Sequence, residues 1–462
     1  DSDGSDSDAT ITAGDGAKLI FAASSIEGNL IVTSSHATGI IQLDSTAGVL
    51  TVEGTSSFTT SADGADIDLS SSSNVLTGAV SLSTEGSGGY AELSNGSTNL
   101  TTGTSTVDGY LTLTTSGQII FGDTTVGGNL SAITSGSGDN KITDSGTLEV
   151  TGTTELETPG NGDTIELLST NNDFGDTVKA KGHHVKLKDV NGIKLGRINA
   201  TNGSVIITAG GAVTQGDGTE DYLSSAQQTN ITATGSDITL NHTSNSIGSQ
   251  LKLAGRDVSM TVSGSVIMGI SAMSGKFDLT TSGAVTQADA LEVELTTTIE
   301  AKSGDTYYAI TLDSVDGSSD YDNDFQGAVL LTGSNVEVND LNDLDLGTST
   351  VTGTYVARSL TGDITDAGAL TVTGTTTLVT SANNATITLD QGGHSFTGKL
   401  LITTTDNETG IDNDSDVTIS AGSGAALVFG TSTIKGDLSV TTSNTTGIAD
   451  TDSEILTIHG TA

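Results

Sequence analysis

The chain has 462 residues, with no cysteine, no tryptophan and one proline, and its 57 acidic and 15 basic residues give a net charge of −42. These figures exclude a disulfide-stapled domain, a cysteine-based zinc site and a thiol nucleophile, and so acidic a surface would repel the phosphates of a nucleic acid. Aromatic residues are 3% of the chain, too few for an ordinary globular core.

Short alternating apolar runs predict β-strands. Residues 50–52, 67–69 and 111–113 place an apolar side chain at every second position, between Gly, Asn, Asp and Ser, and this period is typical of strands. Residues 288–302, the longest candidate helix, are rich in threonine and valine and also alternate. The chain is therefore predicted to be all-β. It begins at Asp1 without a signal peptide, so we expect a mature end or an excised segment.

Internal repeats organise these strands. One unit starts at Gly48, Gly146 and Gly368, and its copies carry apolar residues at the same offsets. These residues are Leu50, Val52 and Phe58; Leu148, Val150 and Leu156; and Leu370, Val372 and Leu378. A longer unit runs from residue 172 to 195 and again from 323 to 346. Repeats of this kind predict a solenoid.

The predicted architecture is a parallel β-helix, or β-solenoid, because evenly spaced strands without hairpin signals suit coils better than a sandwich. We expect a single continuous solenoid over residues 1–462, with cassette boundaries near 48–146, 146–368 and 368–462. Residues 1–10 form an acidic N-terminus, which we expect to be flexible or cation-binding. Val, Ile and Leu would stack inside, while Gly, Asn and Asp turn the corners.

The cassette resembles the repeat region of large bacterial exoproteins, the filamentous-haemagglutinin-type adhesins. The resemblance is carried by residues 362–378, 385–389, 395–400, 172–175, 189–196, 211–215 and 283–287. It implies a right-handed parallel β-helix that acts as an extracellular rod of a bacterial surface or secreted protein. The amino-terminal secretion domain of that family is not evident in this sequence, so the export route stays open.

No catalytic constellation is apparent, because acid–base work needs two carboxylates in environments that split their pKa values. The six histidines are scattered along the chain, at positions 36, 183, 184, 242, 394 and 459. We therefore expect no enzyme activity, with a carbohydrate-active β-helix as the weaker alternative.

Aspartate-rich turns are candidate calcium sites, because hard cations prefer several oxygen ligands. The candidate ligands are Asp320, Asp322, Asp324, Asp412, Asp414 and Asp416. None of these turns has the complete calcium loop of Asp-x-Asp-x-Asn-Gly followed by glutamate. An ordered calcium site and diffuse cation binding by solvated turns both stay open.

The basic residues are concentrated, since six of the 15 lie between residues 179 and 197. They are Lys179, Lys181, Lys186, Lys188, Lys194 and Arg197. The equivalent copy carries Glu337, Asn339, Asp345 and Thr348 in the places of Lys186, Lys188, Lys194 and Arg197. This pattern predicts a docking patch for self-association or for an anionic glycan; the alternative is local relief of charge repulsion.

Together these features predict a non-enzymatic extracellular structural or adhesive rod that mediates attachment, cell–cell contact or matrix formation. The alternative is a self-assembling extracellular filament or surface-layer subunit, which polymerises through solenoid ends or charged faces. The expected partner is a second copy, or a host or cell-surface glycan or protein. Neither nucleic acid nor insertion into a membrane is expected.

Overall fold

The computed structural model describes residues 7–43, 48–86, 88–136, 140–158, 162–314, 322–406, 414–450 and 453–462. The chain divides into two compact units, unit 1 over residues 1–234 and unit 2 over residues 235–462. In the described residues the secondary structure is all strand, with no helix.

The strands of unit 1 are β1 (Ala9–Ala13), β2 (Leu19–Phe21), β3 (Ser24–Ile26), β4 (Leu30–Ser34), β5 (Ile40–Gln42), β6 (Leu50–Val52), β7 (Ser56–Asp63), β8 (Ile67–Leu69), β9 (Val75–Leu76), β10 (Val80–Glu85), β11 (Ala91–Ser94), β12 (Leu100–Thr101), β13 (Ser105–Val107), β14 (Leu111–Thr115), β15 (Ile119–Phe121), β16 (Thr124–Val126), β17 (Leu130–Thr134), β18 (Lys141–Asp144), β19 (Leu148–Val150), β20 (Thr154–Glu157), β21 (Thr164–Leu167), β22 (Asp173–Phe174), β23 (Thr177–Gly182), β24 (His184–Asp189), β25 (Ile193–Ala200), β26 (Val205–Ala209), β27 (Val213–Gln215), β28 (Leu223–Ser225) and β29 (Thr229–Ala233).

The strands of unit 2 are β30 (Ile238–Leu240), β31 (Ser246–Ile247), β32 (Gln250–Gly255), β33 (Val258–Val262), β34 (Val266–Met268), β35 (Ser271–Met273), β36 (Phe277–Thr281), β37 (Val285–Gln287), β38 (Leu291–Val293), β39 (Thr297–Ser303), β40 (Thr306–Tyr307), β41 (Ile310–Leu312), β42 (Asp324–Phe325), β43 (Val329–Gly333), β44 (Val336–Asp340), β45 (Leu344–Leu346), β46 (Ser349–Val351), β47 (Tyr355–Ser359), β48 (Ile364–Asp366), β49 (Leu370–Val372), β50 (Thr376–Thr380), β51 (Ile387–Phe396), β52 (Lys399–Thr403), β53 (Val417–Ala421), β54 (Leu427–Phe429), β55 (Ser432–Ile434), β56 (Leu438–Thr442), β57 (Ile448–Asp450) and β58 (Leu456–Ile458).

Parallel pairing of nearly all strands with strands one turn away makes a β-solenoid of about 20 turns, and β40, which pairs antiparallel with β39, is an exception. In unit 1, β4 pairs with β7, β5 with β8 and β6 with β9, so these turns contain three strands each. Register partners lie 26 residues apart at Leu30 and Ser56, and 19 apart at Ser105 and Thr124. The predicted parallel solenoid is therefore confirmed, and residues 288–302 contain strand β38 and all but the last residue of β39, as expected.

Inward-facing apolar side chains stack from turn to turn and form the core. One ladder in unit 1 consists of Ile40, Ile67, Ala91, Leu111 and Leu130, all buried. In unit 2 the equivalent stacking joins Met260, Leu279, Ile299 and Leu331. Burial of such apolar area contributes about 25 cal/mol per Å². Small branched side chains therefore suffice for a narrow core, because their buried areas add up from turn to turn.

Candidate functional site

The predicted docking patch falls on two different sheets of unit 1. Lys179 and Lys181 lie on β23, and Lys194 and Arg197 lie on its parallel neighbour β25. Lys186 and Lys188 lie on β24, which belongs to another sheet with β21 and β26. The six residues do not share one sheet, because the chain turns a corner between the end of β23 and the start of β24, and their role in docking stays a prediction.

The four cations on β23 and β25 form a surface that we call the basic patch: Lys179, Lys181, Lys194 and Arg197. Nζ of Lys181 lies 2.6 Å from Oε1 of Glu157, and Nη1 of Arg197 lies 3.5 Å from Oε2 of Glu220. Lys179 and Lys194 are exposed and form no ion pair with any residue that the structure describes. Half of the basic patch is therefore available to a partner.

The two lysines on β24 point outward, as their alternation with the buried Val185 and Leu187 predicts. Nζ of Lys186 donates a 2.7 Å hydrogen bond to Oε1 of Glu166, and this contact lowers the pKa of that carboxyl below its usual value. Lys186 is therefore already paired with a carboxylate on the neighbouring strand of its own sheet. Exposed pairs of this kind contribute at most about 1 kcal/mol.

The segment of unit 2 that is equivalent to residues 179–197 partly exposes two of its acidic side chains, but a polar side chain beside them is buried. Glu337 and Asp345 are half-exposed on β44 and β45. Asn339 is buried, and its Nδ2 donates to the backbone oxygen of Asp313 at 3.2 Å. Asn339 therefore stabilises the coil and does not present the surface that Lys188 presents.

A second charged surface on the sheet that holds the basic patch was not anticipated from the sequence. This acidic patch consists of Asp66, Asp68 and Glu92 with the stacked rings of Tyr90 and Tyr110, whose centroids are 4.5 Å apart. The hydroxyl of Tyr110 donates to Oε1 of Glu92 at 3.1 Å. Burial and this carboxylate raise the pKa of Tyr110. The signal in the sequence is that both tyrosines directly precede a strand residue of the same ladder, which requires the register to be known.

The calcium prediction falls partly on residues outside the described ranges, because Asp320 and Asp412 lie there. Asp322 is buried, and both carboxylate oxygens of Asp324 accept hydrogen bonds from Asn342 and Gln326. One oxygen of Asp416 accepts the backbone N–H of Asp437 at 2.7 Å. Asp416 also donates its own backbone N–H to the carbonyl of Asp414.

Metal and membrane motifs are not apparent in the described ranges. No group of three or more His, Asp or Glu side chains there is arranged to hold a metal ion. Calcium binding by the aspartate turns stays a prediction. Nor do the described ranges contain a helix with the length and apolar character needed to cross a membrane.

One corner of the coil contains buried polar side chains that were not identified from the sequence. Asn172 is fully buried, its Oδ1 accepts the backbone N–H of Leu148 at 2.9 Å, and its Nδ2 donates to Oδ2 of Asp144 at 2.6 Å. Leu148 and Asp144 both belong to the preceding turn. We call this arrangement a corner node: an inward polar side chain that satisfies the backbone of the turn before it.

The corner node recurs with changes in its partners. Asn74 accepts from Leu50 in unit 1, and Asn323 accepts from Leu291 in unit 2, and each has a glutamine where Asn172 has Asp144. In the copy near residue 370 the side chain is His394, whose Nδ1 accepts the backbone N–H of Leu370 at 3.0 Å. Buried backbone groups need such partners, so the node is structural.

Comparison with known proteins yields one family and no individual relative. No curated protein and no solved structure matches the chain. A model of a repeat family, described as repeats of unknown function, matches residues 6–83, 109–181, 182–254, 255–332 and 333–403, which is most of the chain. The five matches agree with the stacked, self-similar turns of both units. The chain belongs to this family of repeats, DUF5649.

Proposed function

We propose that this chain is a non-enzymatic, extracellular structural rod of a bacterial surface or secreted protein, which mediates attachment, cell–cell contact or matrix formation. The observation that carries the proposal is the continuity of the buried ladders within each unit, since most inward positions hold stacked apolar side chains and the others hold buried Ser, Thr or corner nodes. A stack in which each turn contacts its neighbours resists bending and separation through many small contributions.

The outward surface supports the same role. The net charge of −42 keeps such a body soluble and separated from like-charged copies at low salt. The likeness of the cassette to filamentous-haemagglutinin-type repeats supports placement outside the cell and a role in adhesion. Rods of this kind present binding surfaces at a distance from their point of attachment.

The second candidate is a self-assembling filament or surface-layer subunit. It is favoured by the presence of the acidic patch and the basic patch on one sheet of unit 1. Opposite charges separated on one face allow copies to associate in a defined register.

Electron microscopy of the purified chain, with and without a chelator, tests both candidates. Isolated short rods are the expected result for the structural rod, and continuous fibres or sheets would favour the filament. Disassembly by the chelator would establish the aspartate turns as cation sites. Compact globular particles, or release of sugar from bacterial polysaccharides by the purified chain, would overturn the proposal.

A further inference from the structure

We propose that unit 1 pairs face to face and antiparallel with unit 1 of a second copy of this chain, the acidic patch of each copy lying against the basic patch of the other. The inference rests on the proposed structural role and adds to it the identity of the partner and the surface that it uses.

The two patches lie along one continuous parallel sheet. Its strands follow one another in the order β8, β11, β14, β17, β20, β23 and β25. One outward column of this sheet consists of Asp68, Glu92, Thr112, Ser131, Glu155 and Lys179. A second column consists of Ser94, Thr114, Ile133, Glu157 and Lys181. The charge thus changes sign along the sheet.

The charges are placed symmetrically about β17. Glu92 and Lys179 are each two strands from β17, on β11 and β23. Asp68 on β8 and Arg197 on β25 are each three strands away. At about 4.8 Å per strand these positions are roughly 10 and 14 Å from β17 on either side. A two-fold axis parallel to β17, lying just outside the sheet above this strand, therefore lays each acidic patch on a basic patch, which makes the face self-complementary.

Charged side chains in both patches lack an ion-pair partner among the described residues, which favours this arrangement. The carboxylates of the acidic patch form no ion pair with the described residues, and neither do Lys179 and Lys194. The central residues Ser131 and Ile133 are uncharged. The two-fold axis also places Glu155 and Glu157 over Thr112 and Thr114 of the second copy, so these carboxylates meet hydroxyl donors and not other carboxylates.

A second copy accounts for more of the surface than an anionic glycan does. A glycan would use only the basic patch and would leave the acidic patch and its equal spacing from β17 without a role. Lys186 and Lys188 lie on another sheet and take no part in the pairing. They therefore supply matched control positions.

The test is sedimentation velocity of the full chain at about 0.15 M salt, where a Debye length near 8 Å screens long-range repulsion more than contact pairs. The variants are K179E/R197E, which reverses the two cations that face Glu92 and Asp68 across the axis, and D68K/E92K, which reverses those two acids. Each alone should raise the dimer dissociation constant at least about tenfold. An equimolar mixture of the two should associate again, because the side chains at 68 and 197 and at 92 and 179 then carry opposite charges. The control K186E/K188E should behave like the unmodified chain.

A cysteine cross-link tests the geometry independently, since the chain has no cysteine of its own. Ser131→Cys near the axis should give a covalent dimer on mild oxidation, whereas Thr208→Cys on β26 should not. Monomers under all conditions, or failure of the variant mixture to associate while each variant melts like the unmodified chain, would overturn the pairing. So would binding of dextran sulfate through Lys179 and Lys181 without self-association. Monomeric rods in micrographs would overturn the pairing and leave the proposed structural role standing.

Discussion

Nε2 of His394 lies 2.8 Å from Oδ2 of Asp366, as Nδ2 of Asn172 lies 2.6 Å from Oδ2 of Asp144 in unit 1. The two aspartates are themselves alike, since each accepts two backbone N–H groups of the following turn. Nδ1 of His394 accepts the N–H of Leu370, so the proton of the neutral ring belongs on Nε2. At this corner a titratable histidine therefore takes the place of the asparagine.

The first prediction concerns acid stability of this corner node. Burial lowers the pKa of His394 below its ordinary 6.5, although Asp366 opposes the shift. Below about pH 6.5 His394 binds a proton in the unfolded chain more readily than in the folded chain. The free energy of unfolding is therefore highest above this pH and decreases as the pH falls. Each pKa unit is worth about 1.4 kcal/mol. Between pH 7.5 and 5.5, the melting temperature of His394→Asn should fall less than that of the unmodified chain.

The control for this prediction is the reverse exchange in unit 1. Asn172→His should introduce the acid sensitivity that His394→Asn removes, because its ring would face Asp144 and the N–H of Leu148. Equal pH slopes for all three proteins would show that the histidine does not titrate with unfolding.

The second prediction has the opposite sign and concerns Asp340. Burial raises the pKa of this carboxyl to about 7, although its oxygens accept the N–H groups of Phe325 and Asn342. Since the unfolded carboxyl titrates near 3.8, stability is lost as the pH rises from about 4 to about 7. The loss is at most about 4 kcal/mol. Urea unfolding should find Asp340→Asn more stable than the unmodified chain at pH 8 and similar at pH 4; lower stability at pH 8 would contradict the assignment.

The third prediction separates inward from outward positions on β14. Leu113 is fully buried between Leu93 and Ala132 of the adjoining turns. Leu113→Ala should cost about 2–5 kcal/mol, because it removes packing and leaves a cavity. Thr112→Ala on the outer face should change stability by less than about 0.5 kcal/mol. Chemical denaturation measures both, and similar costs would mean that the two faces have been assigned wrongly.

The fourth prediction concerns a tight corner in unit 1. Gly39 has a φ of 71°, and an added Cβ would meet the carbonyl oxygen of Asp66 in the next turn. Gly39→Ala should therefore destabilise the chain by more than Gly64→Ala, whose φ of 70° is similar but whose surroundings are open. The latter should cost about 1–3 kcal/mol from backbone strain alone. Gly16→Ala, in open space with an ordinary φ, should be neutral or slightly stabilising. Equal melting temperatures for all three variants would refute the steric argument.

The strands and their inward residues could be predicted from the sequence because alternation identifies the buried face directly. Leu50 and Val52 are buried as their spacing predicts, and Lys186 and Lys188 point outward for the same reason. Alignment of the repeats also placed Leu148 and Leu370 at equivalent positions, and both are in the core.

The arrangement of charges around the coil could not be predicted, because it depends on where the corners fall. Between β23 and β24 the corner contains only His183, without the proline or loop that would mark it in the sequence. Register likewise decides that Glu92 and Lys179 share a column, although they are far apart in the chain. The corner nodes were missed because Asn172 and His394 look like ordinary turn residues until the preceding turn is stacked on them.

The corner node has a consequence for how such chains fold and change length. Leu148 donates its N–H to a side chain of the following turn, so a turn is not complete until its successor has been laid down. Coiling from the N-terminus would then advance with each added turn repairing the exposed edge of the last. A deletion that ends between Leu148 and Asn172 would leave an unsatisfied buried amide, whereas the loss or duplication of a whole repeat would not. Growth by complete repeats is thus the change that this architecture tolerates best.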